Sequence, residues 1–497
     1  MLSPRSRTRF WVEMALECIR RDHTAELSAG DQKGPFLTAR SLGMALGALY
    51  DCKAIATGRD GLLGIGSQTK ELSLLSSTEQ QDMAACGACH QVLRSRYTKQ
   101  TTMLDSAWKH WLALSGLSSG LSDAEKTGRL YGDAVLQRGT NDMVNARGGL
   151  YVPSGRPYTH KAPPNQPNQG FAGAGWGAST PLSAKRVSDF PPPPKRNDMK
   201  SGDEIAHYFQ DFAKVKAKGA INSQDAGSSG RSENEEVIGI AWGYDGPKDI
   251  GTPPRLYMQV ILSVLDNLGT KTNGSLSQLD ELAIIGGSAI AMADAGIDAW
   301  HYKYAATHMM WRPAVGIAEA LPNDGTADPN WRPLGLPDTN GWNTGLTPDF
   351  PAYPSGHATF GAAAFQLLRL FLVEKKIHSF KATGIDDVAF DFESDEYNGR
   401  NKDPRTGLPR DKVLLNYNSL WEAMVDNSIS RVFLGVHWQF DGITTRDSTN
   451  TKDEFGIPPS PSQIGRTGGV WLGAQIANQI AGLLKVSNQT IKDSGIT

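Results

Sequence analysis

A chain of 497 residues, 39% hydrophobic and 21% charged, carries enough apolar material for two sizeable cores and has an ordinary globular composition. Its formal net charge of -2 excludes a broad basic face for nucleic acid and a polybasic membrane patch, so any strong anion site must be a local cluster. Four cysteines in so long a chain exclude a disulfide framework.

The opening Met-Leu-Ser-Pro-Arg has no apolar run after it, so no signal peptide is visible, and cytoplasmic and secreted locations both stay open. Residues 11–19 and 41–56 then repeat apolar side chains at three- and four-residue spacing, as in Leu42, Ala45, Leu46 and Leu49. The same pattern predicts helices over 83–97, 103–114 and 123–137. Residues 153–197 change character, with Pro163-Pro164, Pro167 and the run 191–194 forbidding regular helix. This stretch reads as an ordered, extended connection pinned to the fold surface. Helical patterns return over 203–218, 254–268, 279–309 and 358–374, and 386–416 reads as polar loop. Ser419, with Glu422 three residues on, predicts a capping box. The segment 358–373, interrupted by Arg369, reads as too short and too broken to span a bilayer. The expected architecture is mainly α, two helical bundles with long irregular connections. Its parts are 1–150, the connection 151–200, and 201–497.

Three segments of the second half share the chemistry of anion binding. They are Trp311-Arg312-Pro313, preceded by Lys303; Pro354-Ser355-Gly356-His357; and Arg431 through His437, followed by Asp441. Ser355 stands where a loop becomes an apolar helix, a natural N-cap, and the N–H groups beyond it attract an oxyanion. Gly356 lets a ligand approach the backbone. Arg312 and Arg431 offer planar forks for oxygen atoms. His357 and His437 can serve as proton carrier and as nucleophile or metal-type ligand.

Together these motifs resemble the superfamily that joins vanadium-dependent haloperoxidases to type 2 phosphatidic acid phosphatases. Residues 349–353, 243–246, 251–257 and 430–438 are similar to the haloperoxidase branch, and weaker likeness runs through most of residues 10–480. The resemblance implies a vanadate cofactor, with phosphate able to occupy the site in its absence. It implies that His437 bonds the metal, while Arg312, Arg431, Lys303, Ser355 and the Gly356 N–H neutralise the oxyanion. It implies that His357 is the acid–base group and that Asp245 braces the arginines. The implied reaction takes hydrogen peroxide and a halide and halogenates a small organic substrate, the vanadium keeping its oxidation state. Phe350 matches the chloride oxidisers, where bromide-only algal members often carry histidine. Phe350 and Trp300 then wall the reacting centre, and bromide is the expected halide, with chloride second. A soluble acid phosphatase using the same oxyanion site is the alternative. Homo-oligomerisation stays open.

One departure stands out. The family spacing is Lys-x6-Arg-Pro, whereas Lys303 precedes Arg312 by nine residues, and the residue seven before Arg312 is Ala305. A helix end or bulge after Lys303 would restore its aim, and His308 is the reserve candidate. Cys86-Gly87-Ala88-Cys89-His90 matches a c-type haem attachment pattern, which keeps an electron carrier as an alternative of another class.

Overall fold

The computed structural model describes residues 2–497 except 29, 118–120, 195–207, 272–275, 323 and 447–459. Its first half is built from the helices Pro4–Asp22, Pro35–Ala56, Thr78–Arg96, Thr101–Ser115 and Ser122–Gln137. Their starts follow from capping chemistry: the Ser3 hydroxyl accepts the Ser6 N–H, and Ser77 and Gln80 form a reciprocal capping box. The second half is organised by Gln278–Tyr304, Gly356–Glu374, Leu420–Phe433 and Gly469–Leu483.

The halves meet where Gln278–Tyr304 packs along Pro35–Ala56. Small residues permit this approach, since a Cβ on Gly43 would stand 2.7 Å from the Ala293 Cβ. One continuous apolar core therefore runs from Trp11 to Ile496. Gln278–Tyr304 and Gly356–Glu374 are each long and apolar enough to cross a bilayer, which corrects the sequence reading of 358–373. Both are enclosed by other helices here, and a helix apolar on every side is what a central core position requires.

The connection after residue 150 is ordered through residue 194 and holds only a single 3-10 turn, Trp176–Ala178. It is pinned by buried carboxylates rather than by its own helix. Asp294 accepts the N–H groups of Leu182, Ser183 and Ala184, and Asp298 accepts that of Val187. The residues 195–207 that complete the expected linker, and the first part of the helix expected over 203–218, lie outside the described residues; Tyr208–Lys218 is helical.

Two expectations are corrected by local structure, and a third, weaker reading is set aside. Within 386–416 the chain forms a strand, Phe390–Glu393, paired antiparallel with Leu414–Tyr417 in the register Phe390↔Tyr417. Phe390 and Phe392 face inward while Asp391 and Glu393 face out, the period-2 pattern of a half-buried strand. At Ser419 the hydroxyl caps Glu422, but the Glu422 carboxylate accepts the N–H of Asn418 rather than that of Ser419. The electron-carrier alternative meets a packed interior: Cys86 and Cys89 are 0% exposed within Thr78–Arg96, and burial pushes both thiols up. His90 accepts from Arg129 and packs against both Trp11 and Trp108, which leaves no space for a porphyrin.

Candidate active site

The site forms where three chain turns converge at the end of the central helices. Gln278–Tyr304 stops at Tyr304, and Ala305 leaves it with extended backbone. Lys303 thus occupies the last turn, and the nine-residue separation from Arg312 is taken up by the irregular segment between them. Arg312 sits just before the short helix Pro313–Ala318, which proline opens. Ser355 caps Gly356–Glu374, and its own N–H donates to the Asp441 carbonyl at 2.7 Å.

Arg431 lies in the final turn of Leu420–Phe433. Its carbonyl accepts the N–H groups of Val436 and His437, so the chain folds back on itself within six residues. Gly435 makes that reversal with φ +70°, where a Cβ would fall 2.4 Å from the Gly219 carbonyl oxygen. The spacing from Arg431 to His437 is therefore a helix end plus one left-handed glycine.

His437 is the best-defined group. Its Nδ1 lies 2.9 Å from the Asp441 carboxylate, and its Nε2 accepts from the Arg312 guanidinium at 2.8 Å. Arginine can only donate, so this pairing assigns the proton to Nδ1 and the lone pair to Nε2. Burial holds the protonated ring well below its usual range, and Arg312, Lys303, Arg431 and His357 add to the effect. Asp441 also accepts the Trp438 N–H. Burial pushes its carboxyl upward against Arg312 and Lys303, yet two N–H donors on one oxygen are served by the ionised form. Sequence reasoning noted Asp441 without giving it a role. The available signal was its position four residues after His437, close enough for one turn to join them.

His357 Nε2 lies 2.6 Å from the Gly243 carbonyl, which leaves Nδ1 as the nitrogen without a proton. Burial, with Arg431 next, keeps this ring neutral. Asp245 accepts the Arg431 guanidinium with both carboxylate oxygens at 2.9 Å and stands 3.7 Å from His357 Nε2. It braces an arginine and is no plain turn residue. On its far side Arg431 keeps Nε and Nη1 buried without a hydrogen-bond partner.

Lys303 has backbone partners that the sequence did not indicate, and His308 departs from expectation. The buried Lys303 ammonium donates to the carbonyls of Pro351, Ala352 and Pro354, so its three protons secure the loop that delivers Ser355. It also stands 5.2 Å from the Phe350 ring, and Arg312 lies 5.1 Å from the same ring. His308 is placed elsewhere: its Nε2 meets the Phe190 carbonyl and its ring stacks on Phe190 and Tyr353. The end of the helix at Tyr304 removes the rotation that would have carried His308 toward Arg312. Lys303→Met should lower the melting temperature of vanadate-free protein, because three buried carbonyls lose a charged donor at about 1–3 kcal/mol per unsatisfied group. A thermal melt reads this, and an unchanged midpoint would mean that the lysine serves only a bound anion.

Trp300 and Phe350 pack at a centroid distance of 4.8 Å and wall a cavity of about 340 Å³ that reaches Gly356, His357, Asp245 and His437. A larger groove of about 970 Å³, lined by Phe212 and Trp331, contains none of these groups. The donor set fits a tetrahedral oxyanion. Arg312, Arg431 and Lys303 cluster with the buried carboxylates of Asp245 and Asp441, unpartnered N–H groups of Arg431 await an acceptor, and the first-turn N–H groups at Gly356 have none within their helix. Vanadate fits this set, with His437 Nε2 as the ring nitrogen able to bond its metal.

Known proteins give the same answer. Residues 284–451 match a family model described as the second helical-bundle domain of VCPO. A vanadium chloroperoxidase of Curvularia inaequalis is 30% identical over an alignment of 552 positions, covering 95% of this chain and 88% of that protein. Two solved structures share the fold with a TM-score of 0.61. One is a bacterial vanadium-dependent iodoperoxidase, 17% identical with 95% of each chain covered. The other is a holo-type bacterial vanadium-dependent chloroperoxidase, 14% identical with 93% of each covered. A helical fold shared along its length, and a relative matched at 30% identity over nearly all of the chain, place this protein in the vanadium-dependent haloperoxidase family.

Proposed function

We propose that the protein oxidises bromide, and chloride more slowly, with hydrogen peroxide at a vanadate held by Arg312, Arg431, Ser355, the Gly356 N–H and His437. The observation that carries the reading is the pairing of a lone-pair-bearing His437 Nε2 with the buried, unpartnered N–H groups of Arg431. When bound there, vanadate supplies a Lewis acid that makes peroxide oxygen electrophilic without changing oxidation state.

The chain's own groups do the rest. Asp441 fixes the His437 tautomer and ring orientation. Asp245 keeps Arg431 aimed while sparing its Nε and Nη1. His357 Nδ1, kept unprotonated, can take a proton from entering hydrogen peroxide and return it to the oxygen that leaves. Trp300 and Phe350 shield the cations from water, which strengthens each electrostatic contact inside.

The halide order rests on Phe350, which resembles the chloride oxidisers, and on Lys303, whose carbonyl contacts leave less charge free for bound oxygen. The chloroperoxidase relative supports a place for chloride. Steady-state rates with chloride, bromide and iodide, compared at one common pH, test the order. Bromide turnover above chloride turnover is expected, and iodide turnover alone would reject it.

A further inference from the structure

The cavity beside the oxyanion cradle is larger than its small reactants need. It holds about 340 Å³, whereas one water occupies roughly 30 Å³ in the liquid. Trp300, Phe350 and Phe360 give it aromatic walls suited to a flat apolar body. Two carboxylates also line it. Asp245 is committed to Arg431. Asp349 is not: among the described residues it forms no ion pair, and its own backbone N–H is its one hydrogen-bond donor. Arg312, whose field reaches Asp349, is bonded instead to the carbonyls of Phe350 and Val436 and to His437.

An unpaired carboxylate beside the route of a halide anion works against the halide by like-charge repulsion. It suits a cationic guest. Aromatic walls beside it suit the same guest, since rings attract both flat aromatic bodies and ammonium groups.

We propose that this cavity binds the organic acceptor itself, and that Asp349 selects acceptors joining an electron-rich aromatic ring to a protonated amine. The inference rests on the halide-oxidising reading above and names its substrate class. The reaction on the bound acceptor is ArH + Br⁻ + H₂O₂ + H⁺ → ArBr + 2 H₂O: a C–Br bond replaces a C–H bond, bromide is oxidised, and peroxide is reduced to water. The carboxylate holds the ammonium, which keeps the ring against the wall formed by Trp300 and Phe350, facing His357.

The test sets tyramine against 4-hydroxyphenylpropionate, equimolar in one vessel, with bromide and peroxide, and measures the ratio of brominated products. Both acceptors meet the same oxidant, so the ratio does not depend on how fast bromide is oxidised. The baseline is the same mixture treated with hypobromous acid. The wild-type protein should favour tyramine over that baseline by about fivefold, the size expected of a part-exposed ion pair. Asp349→Asn should return the ratio to the baseline, and Asp349→Glu should keep the preference. Calorimetric titration of tyramine into vanadate-free protein should show binding that Asp349→Asn weakens by a similar factor. A wild-type ratio equal to the baseline, or a preference that survives Asp349→Asn, overturns the proposal. If no halide is oxidised at all, the halide reading fails while the titration still reports on the acceptor site; absence of tyramine binding there overturns the proposal by itself.

Discussion

His437→Ala should abolish vanadate-dependent halide oxidation, a loss beyond the ~10–100-fold typical of removing a group that merely orients a metal ligand. The substitution deletes the Nε2 lone pair proposed to bond the metal, while the arginines can hold only the oxygens. It also strands Asp441, which keeps the Trp438 N–H but loses the ring, and Arg312, which keeps the Val436 and Phe350 carbonyls. Those retained bonds should keep the fold, so the variant should melt as a cooperative helical protein and still fail to oxidise bromide at saturating vanadate. Circular dichroism and a bromide assay across vanadate concentrations check both halves. Retention of more than a small fraction of activity would remove His437 from the role of metal ligand.

His357→Ala should behave differently. Turnover should fall by about 10²–10⁴-fold, the usual contribution of a positioned acid–base group, while most of the vanadate affinity survives. The structure separates side chain from backbone at this residue. The His357 carbonyl accepts from Tyr257 and from Asn427, both at 2.9 Å, so the first turn of the helix stays in place when the ring is removed. Arg431 keeps its brace on Asp245. Turnover per bound vanadate, with binding measured separately by equilibrium dialysis, decides the matter. Lost binding with normal turnover per bound cofactor would reverse the assignment.

The two histidines, the two arginines and Ser355-Gly356 were legible because each lies in a short motif whose chemistry does not depend on distant packing. Helix existence was legible for the same reason, since long amphipathic repeats report their period directly. The end of the helix at Tyr304 was not. No glycine or proline marks it before Pro313, and the apolar pattern runs on through Met309, so His308 looked available when it was turned onto Phe190. Lys303 illustrates a second limit. Its sequence neighbourhood gives a cation, but what that cation touches depends on a loop 48 residues away, the carbonyls of Pro351 to Pro354. The strands at Phe390 and Leu414 are four residues each, too short for alternation to stand out among polar neighbours. The Pro-rich connection is ordered by Asp294 and Asp298, whose backbone partners lie more than a hundred residues earlier in the chain.

One buried cradle, closed by His437 and opening on the cavity walled by Trp300 and Phe350, is the proposed seat of a vanadate-dependent halide oxidation. The most direct measurement is the rate of bromide oxidation by peroxide as orthovanadate is titrated into vanadate-free protein. The rate should rise from near zero, reach a plateau at about one vanadate per chain, and stay flat beyond it, as a single saturable site requires. A rate that is already full without vanadate, or that stays at zero at every vanadate concentration, would contradict the account.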